Sequence, residues 1–234
     1  MIGKNAYLLC FVLLCVVYSK RSECKSIFSK PDVIKTEDLE KGGWQMIFRA
    51  TSGNKQSVYD AWTKGVGTNQ DKPNTMERSR GLHYRDPIVS GWANLGIQYV
   101  KLALYNQDGE VAHVIFNGRG SDVNNWFDKK KIMSSSYSDL TSIDAFNIFS
   151  IVGDYRQGSL ERRFLINRSY AGCDKDIGHI AVIDTKTIPA KGCTWDQHPV
   201  YPQFLYSLID AADVWNRMQF GRADFMAVFI KTSN

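Results

Sequence analysis

The chain has 234 residues, 29 of them Lys or Arg and 24 Asp or Glu, for a formal net charge of +5. The bases are scattered, with only Lys129-Lys130-Lys131 in a run, so the charge does not point to nucleic acid. An excess this mild favours at most weak attraction to anionic glycans or matrix.

The chain opens on an address. Lys4 supplies a positive n-region, Ala6 to Tyr18 is almost unbroken apolar sequence, and Val17 and Ser19 suit the positions before a cut. Residues 1–19 therefore read as a secretory signal peptide, the run being too short for a comfortable membrane span. An uncleaved anchor is the competing reading. No later stretch is long and apolar enough to span a bilayer, so the expected product is secreted and extracellular. Cleavage would remove one Lys and no acid and leave about 215 residues, enough for one large β domain or two small ones. No internal repeat or linker divides it.

Cys10 and Cys15 would leave with the signal, and Cys24, Cys173 and Cys193 would remain. In an oxidising compartment Cys173 and Cys193 are the natural pair, because both sit beside turn residues in the C-terminal third. The closed loop would stabilise the fold by about 3 kcal/mol in the chain-entropy model. Cys24 is the odd thiol, either cross-linking two chains into a homodimer or lying free.

Residues 20–41 are charged and lack an apolar period, and read as a flexible lead-in to a single β-rich domain over 42–234. Gly42-Gly43 breaks the chain, and Trp44 to Ala50 follows as a strand with Trp44, Met46 and Phe48 on one side. Ser57 to Trp62 reads as a short helix. Ser57 can N-cap it, Asp60 lies in the first turn, and Val58, Ala61 and Trp62 share a face. Gly65 to Gly81 is a long polar loop. Asp86-Pro87 is a helix start, with an N-cap acceptor followed by proline at N1.

Ile97 to Phe116 is the clearest hairpin. Two runs rich in β-branched and aromatic residues flank Asn106-Gln107-Asp108-Gly109, and Gly109 can take the positive φ of a tight turn. Val100, Leu102 and Leu104 alternate onto one face, and so do Ala112, Val114 and Phe116. Asn147 to Val152, Arg162 to Ile166, His179 to Ile183 and Ala223 to Lys231 are further strands. Tyr201 to Met218 is ambiguous: Leu205, Leu208, Ile209, Ala212 and Trp215 would share a helical face. Many strands and only short helices predict a mainly β fold, a β-sandwich or a mixed β domain with short helical insertions.

Catalytic signatures are missing. There is no Gly-x-Ser-x-Gly and no His-Glu-x-x-His, and the Asn117 to Asp122 turn lacks the lysine-serine pair of a phosphate loop. His83, His113, His179 and His198 have no metal-ligand partners at helical or finger spacing. His113 and His179 fit strand patterns as satisfied residues. Cys173 as a nucleophile with His179 or His198 loses to the disulfide. Asp122, Asp139, Asp154, Asp174, Asp176 and Asp184 offer carboxylate pairs for glycoside hydrolysis, but any chain with this many acids does.

Two loops concentrate oxygen ligands. Asp174 and Asp176 could take calcium, though the remaining ligands of a calcium loop are absent and a solvated acidic loop is the plainer reading. Asp122, Asn124, Asn125 and Trp126 combine hydroxyl-binding side chains with a flat ring, the chemistry of sugar recognition, as do Trp195 and Asp196. Each tryptophan also fits a core. Asn167-Arg168-Ser169 is a glycosylation sequon whose Asn is either modified or a buried cap.

Gly42-Gly43-Trp44 to Arg49, followed by Val58-Tyr59-Asp60-Ala61-Trp62, resembles the start of fibrinogen-like C-terminal domains. The Val100 to Val114 hairpin, the cysteine pair and the closing Phe225 to Lys231 strand sit where that family has its next strands, its C-terminal disulfide and its last strand. The resemblance covers about half the chain by pattern. The family's Trp-Trp-x-x-x-Cys segment is absent, its calcium loop would precede the disulfide rather than follow Cys173, and the cysteine ahead of Gly-Gly-Trp is missing. It implies a fibrinogen-like α+β fold as the alternative to a sandwich, and a lectin or matrix role.

The reading is a secreted, non-enzymatic protein that recognises a glycan or an extracellular matrix component. The alternatives are a secreted glycan hydrolase with paired carboxylates and a purely structural subunit cross-linked through Cys24.

Overall fold

A computed structural model describes residues 33–77, 81–142, 146–156, 160–184 and 192–233. The expected signal peptide and Cys24 lie outside the described residues.

The compact unit begins at Val33, ahead of Gly42. A single helical turn, α1 (Thr36–Leu39), is tied down rather than flexible. Thr36 donates from its N to Asn74 O and from its Oγ1 to Pro73 O, and Ile34 and Leu39 pack on buried apolar residues. Of the expected lead-in over 20–41, residues 20–32 lie outside the described residues, and in 33–41 two well-spaced apolar side chains anchor a turn that shows no period.

Fourteen strands form two sheets among the described residues. The first sheet contains β1 (Gln45–Thr51), β2 (Thr68–Asn69), β3 (His83–Arg85), β4 (Ile97–Asn106), β5 (Gly109–Asn117), β6 (Ile132–Ser135) and β14 (Phe225–Thr232). Its order is β2-β3-β1-β14-β4-β5-β6, with β2 and β3 parallel and the other neighbours antiparallel. The second contains β7 (Ile148–Ser150), β8 (Asp154–Arg156), β9 (Leu160–Ser169), β10 (Ile177–Ile183), β11 (Gln203–Ser207), β12 (Asp213–Val214) and β13 (Phe220–Ala223). Its order is β13-β11-β10-β9-β7, with β8 also on β9 and β12 also on β10.

The sheets share one core. Val100, Leu102, Leu104, Val114, Phe116 and Val228 of the first sheet cluster with Phe164, Ile166, Ile180, Val182 and Phe204 of the second. This makes the fold a β-sandwich, in which period-2 strands each turn one face inward. The outer faces are also partly covered. Tyr105, Ala103, Phe225 and Phe229 are buried under Trp44, Ile34 and Leu39, and Leu165, Ala181 and Leu205 under Trp195 and Trp215. The helical insertions are short: α2 (Val58–Lys64), with Ser57 Oγ accepting from Asp60 N, and a 3-10 segment Pro87–Asn94 in which Asp86 caps Ile88 N. Both starts match the capping residues in the sequence. Among the described residues no helix is long and apolar enough to cross a membrane.

Two local expectations are corrected. Met46 and Phe48 do not share a face, because a β-bulge at Ile47 shifts the register against β14, placing Met46 in the outer cluster and Ile47 and Phe48 in the shared core. Tyr201 to Met218 is not a helix. Phe204 and Tyr206 point into the shared core while Leu205 joins the outer cluster, so a strand buried on both faces wins, and Leu208 and Ile209 are left exposed.

Candidate functional site

The loop after β5 divides the residues expected to act together. Asp122 is exposed but occupied: its Oδ1 accepts from Asn124 N at 2.7 Å and Asn125 N at 2.8 Å, and its Oδ2 from Asn125 Nδ2 at 2.7 Å. Asn125 Oδ1 in return accepts from Asp122 N and Lys131 Nζ. These two residues build the turn. Trp126 is fully buried against Trp62, Trp92 and Phe116 and offers no ring face to a ligand, correcting its expected role. An indole ringed by aromatic side chains does more as core than as platform. Of the four, Asn124 lines a cleft.

The other expected positions resolve in the same physical terms. Cys173 and Cys193 form the expected disulfide. Asn167 is 1% exposed, with Nδ2 donating to Ser169 O and Oδ1 accepting from Trp215 Nε1, so in this fold its side chain is buried and hydrogen-bonded. Asp174 and Asp176 part company: Asp174 accepts from Asn216 Nδ2 at the surface, and Asp176 turns inward. Among the described residues no group of three or more His, Cys, Asp or Glu is placed to hold a metal.

The opening that Asn124 faces is one of two adjoining clefts. One, of about 300 Å³, is lined by Tyr59, Asn124, Phe127, Phe149, Ser150, Ile151 and Val152. The other, of about 350 Å³, is lined by Ser57, Tyr59, Asp60, Lys64, Val152, Tyr155, Glu161 and Arg163. Tyr59 and Val152 belong to both linings, so the two clefts lie side by side past the start of α2 and are called the groove below.

Each wall has a physical origin. Tyr59 is held by Asp184 at the end of β10, whose carboxylate accepts from Ser57 Oγ at 2.6 Å, Val58 N at 2.9 Å and Tyr59 N at 3.0 Å. Asp184 is fully buried, and burial raises its pKa above the ordinary value against those three donors. It serves as the clamp that fixes the first turn of α2 to the second sheet. Trp62 Nε1 donates to Val123 O and so fixes the Asn124 loop to the same helix.

The opposite wall comes from β7 to β9. Gly153 sits at φ +66°, and a Cβ there would lie 1.8 Å from Arg162 O, so the turn can hug β9 only with glycine. Along β9 the register against β10 shifts around Phe164, which has a φ of +41°. Arg163 is 4% exposed and its guanidinium carbon lies 4.1 Å from the ring centroids of both Tyr59 and Tyr155. Arg163 Nη1 donates to Val152 O at 2.8 Å, and Nη2 is 3.5 Å from Glu161 Oε2. Across the cleft Lys64 Nζ meets Asp60 Oδ1 at 2.9 Å. Tyr155 keeps 45% of its surface exposed. The groove thus presents aromatic surface braced by an arginine, beside carboxylate, amide and hydroxyl groups.

The preceding residue, Arg162, makes a different structure. It is 1% exposed and donates from Nε to Asp196 Oδ2 at 2.9 Å, with Nη2 bonded to the same oxygen. Its Nη1 donates to Tyr170 Oη at 2.5 Å and stands 3.8 Å from both Asp154 Oδ2 and Asp176 Oδ2, and Tyr170 donates on to Asp154. The guanidinium lies 4.2 Å from the Trp195 ring centroid. Burial raises the pKa of Asp176 and Asp196, with Arg162 pulling the other way, and pushes the Tyr170 phenol up to about 12. These acids are enclosed and act on Arg162.

Tyr59, Tyr155 and Arg163 were not singled out from the sequence. The available signal was the Arg162-Arg163 doublet inside a strand, since two adjacent arginines there must each find partners on opposite sides. No protein-family model, no curated protein and no solved structure matches this chain.

Proposed function

We propose that the chain is a secreted, non-enzymatic protein that recognises a glycan or a glycan-bearing extracellular matrix component through the groove beside α2. The observation that supports this reading is the pair of clefts that share Tyr59 and Val152 in their linings. Exposed Tyr155 offers a ring for the apolar face of a sugar, and Asn124, Ser150 and Asp60 in the cleft linings carry groups that can hydrogen-bond hydroxyls.

The rival reading, a glycan hydrolase, needs paired carboxylates across a cleft, one held protonated. The carboxyls whose pKa is raised here, Asp176, Asp184 and Asp196, are buried and spent on Arg162 and on the α2 start. The acids that do line the groove, Asp60 and Glu161, stand against Lys64 and Arg163. This arrangement favours holding over cleaving.

A glycan array probed with the purified chain, with and without calcium, tests the reading. Binding to at least one oligosaccharide is expected. Absence of binding under both conditions would sink it.

A further inference from the structure

The chain is net basic, which by itself would favour sulfated or uronate-bearing glycans. The groove has a different balance. Its lining carries two acids, Asp60 and Glu161, and two bases, Lys64 and Arg163, in the larger cleft, and no charged side chain in the smaller one. Each base stands next to an acid, at 2.9 Å for Lys64–Asp60 and 3.5 Å for Arg163–Glu161.

Resting on the glycan-binding reading, we infer that the groove takes a neutral oligosaccharide rather than an anionic one. Recognition of sulfate or carboxylate relies on an arginine fork or a lysine presented to the ligand. Arg163 has two tyrosine rings close to its guanidinium and an Nη1 bonded to Val152 O. An anion would have to break these contacts and then sit beside Asp60 and Glu161, where like charge repels it. A neutral sugar meets neither cost. Arg163 instead acts as a brace, keeping Tyr59 and Tyr155 in place, and the carboxylates of Asp60 and Glu161 are acceptors for hydroxyl donors. Two neighbouring clefts of about 350 and 300 Å³ that share Tyr59 and Val152 offer surface for more than one sugar ring.

The test titrates the purified chain with neutral hexasaccharides (cellohexaose, maltohexaose, chitohexaose) and with anionic ones (heparin and hyaluronan hexasaccharides). A neutral hexasaccharide should bind, with an affinity that changes less than about twofold from about 0.05 to about 0.5 M NaCl, because no ion pair is screened. Tyr155→Ala should weaken that binding about tenfold or more while the melting temperature stays near wild type. Asn124→Ala, at an exposed position in the other cleft, supplies a second variant should Tyr155→Ala fold poorly. Binding of only the anionic probes, lost in either variant, overturns the inference and leaves the glycan-binding reading standing. No binding by any probe, or binding that neither variant weakens, overturns both.

Discussion

Arg162 and Arg163 are neighbours in one strand and end in opposite surroundings. Arg162 is enclosed, bonded to Asp196 and Tyr170, near Asp154 and Asp176, and laid on Trp195. Arg163 is nearly as buried, yet it lines an opening and has tyrosine rings and a backbone carbonyl as its main partners. The first arrangement gathers three carboxylates around one cation, which suits a lock that a solvent-borne ligand never reaches. The second leaves paired charges and an exposed ring at the surface, which suits a site. Burial is nearly the same for both arginines, and what differs is that Arg163 lines an opening.

The sharpest way to break the lock is Arg162→Met, which leaves Asp176 and Asp196 buried without their cation. A loss of about 3–5 kcal/mol is expected in chemical denaturation, the range for removing one partner of a buried ion pair. Its pH dependence carries a sign. Burial holds both carboxyls above their ordinary value of 3.8, so between that value and the raised one the folded state binds more protons than the unfolded chain. Stability from these groups is greatest below that window and falls as pH rises through it. Removing Arg162 raises both carboxyls further and widens the window. The cost of the variant should therefore be greatest near neutral pH and shrink as pH falls towards 3.8; a cost that stays level would show that Arg162 contributes packing rather than charge.

Next in size is the disulfide that closes the loop carrying Asp176 at one end and opening onto Trp195 and Asp196 at the other. Replacing both Cys173 and Cys193 by Ser should cost about 3 kcal/mol. Because both acids stay in place, this loss should not shrink with acid in the way the Arg162 loss does, and that contrast separates the tether from the charge.

Much of the scaffold was legible in the sequence, and the site was not, for reasons visible in particular residues. The β4–β5 hairpin announced itself because strict alternation and the Asp108-Gly109 turn are local signals, and the register pairs Asn106 with Gly109 as that turn requires. Ser57 and Asp86 were readable as caps for the same reason. Trp126 was misassigned because exposure is a tertiary property: its polar neighbours in the chain are surface residues, whereas its neighbours in space are Trp62, Trp92 and Phe116. The groove was hidden because it joins residues from 57 to 163 that no spacing rule connects. The bulges at Ile47 and around Phe164 also escape a period-2 reading, and the second lies beside Arg163.

Gly153→Ala joins the two regions in one residue. The added Cβ would strike Arg162 O, and φ +66° is strained for alanine, so the Val152 to Tyr155 turn must move away from β9. A loss of about 2 kcal/mol is expected from strain and displacement together. Ligand affinity should fall as well, because Val152 and Tyr155 shape the groove. A variant that lost stability but kept full affinity would show that the turn is scaffold alone.

The smallest effects on stability discriminate best between the two kinds of residue. Asp122→Ala removes an acceptor that holds two backbone N–H groups and an Asn side chain in an exposed turn, and should cost about 1 kcal/mol. Its effect on binding should be indirect, acting through Asn124, whose N is one of the two donors. Tyr155→Ala removes a half-exposed ring and should cost less than about 1 kcal/mol, since nearly half of its surface stays in solvent and Arg163 keeps Tyr59, Val152 and Glu161. If the groove is the binding surface, the order of the two variants must invert between assays, Asp122→Ala being worse for stability and Tyr155→Ala worse for affinity. The same order in both assays would mean that binding simply tracks folding, and the distinction between the enclosed arginine and the open one would lose its functional meaning.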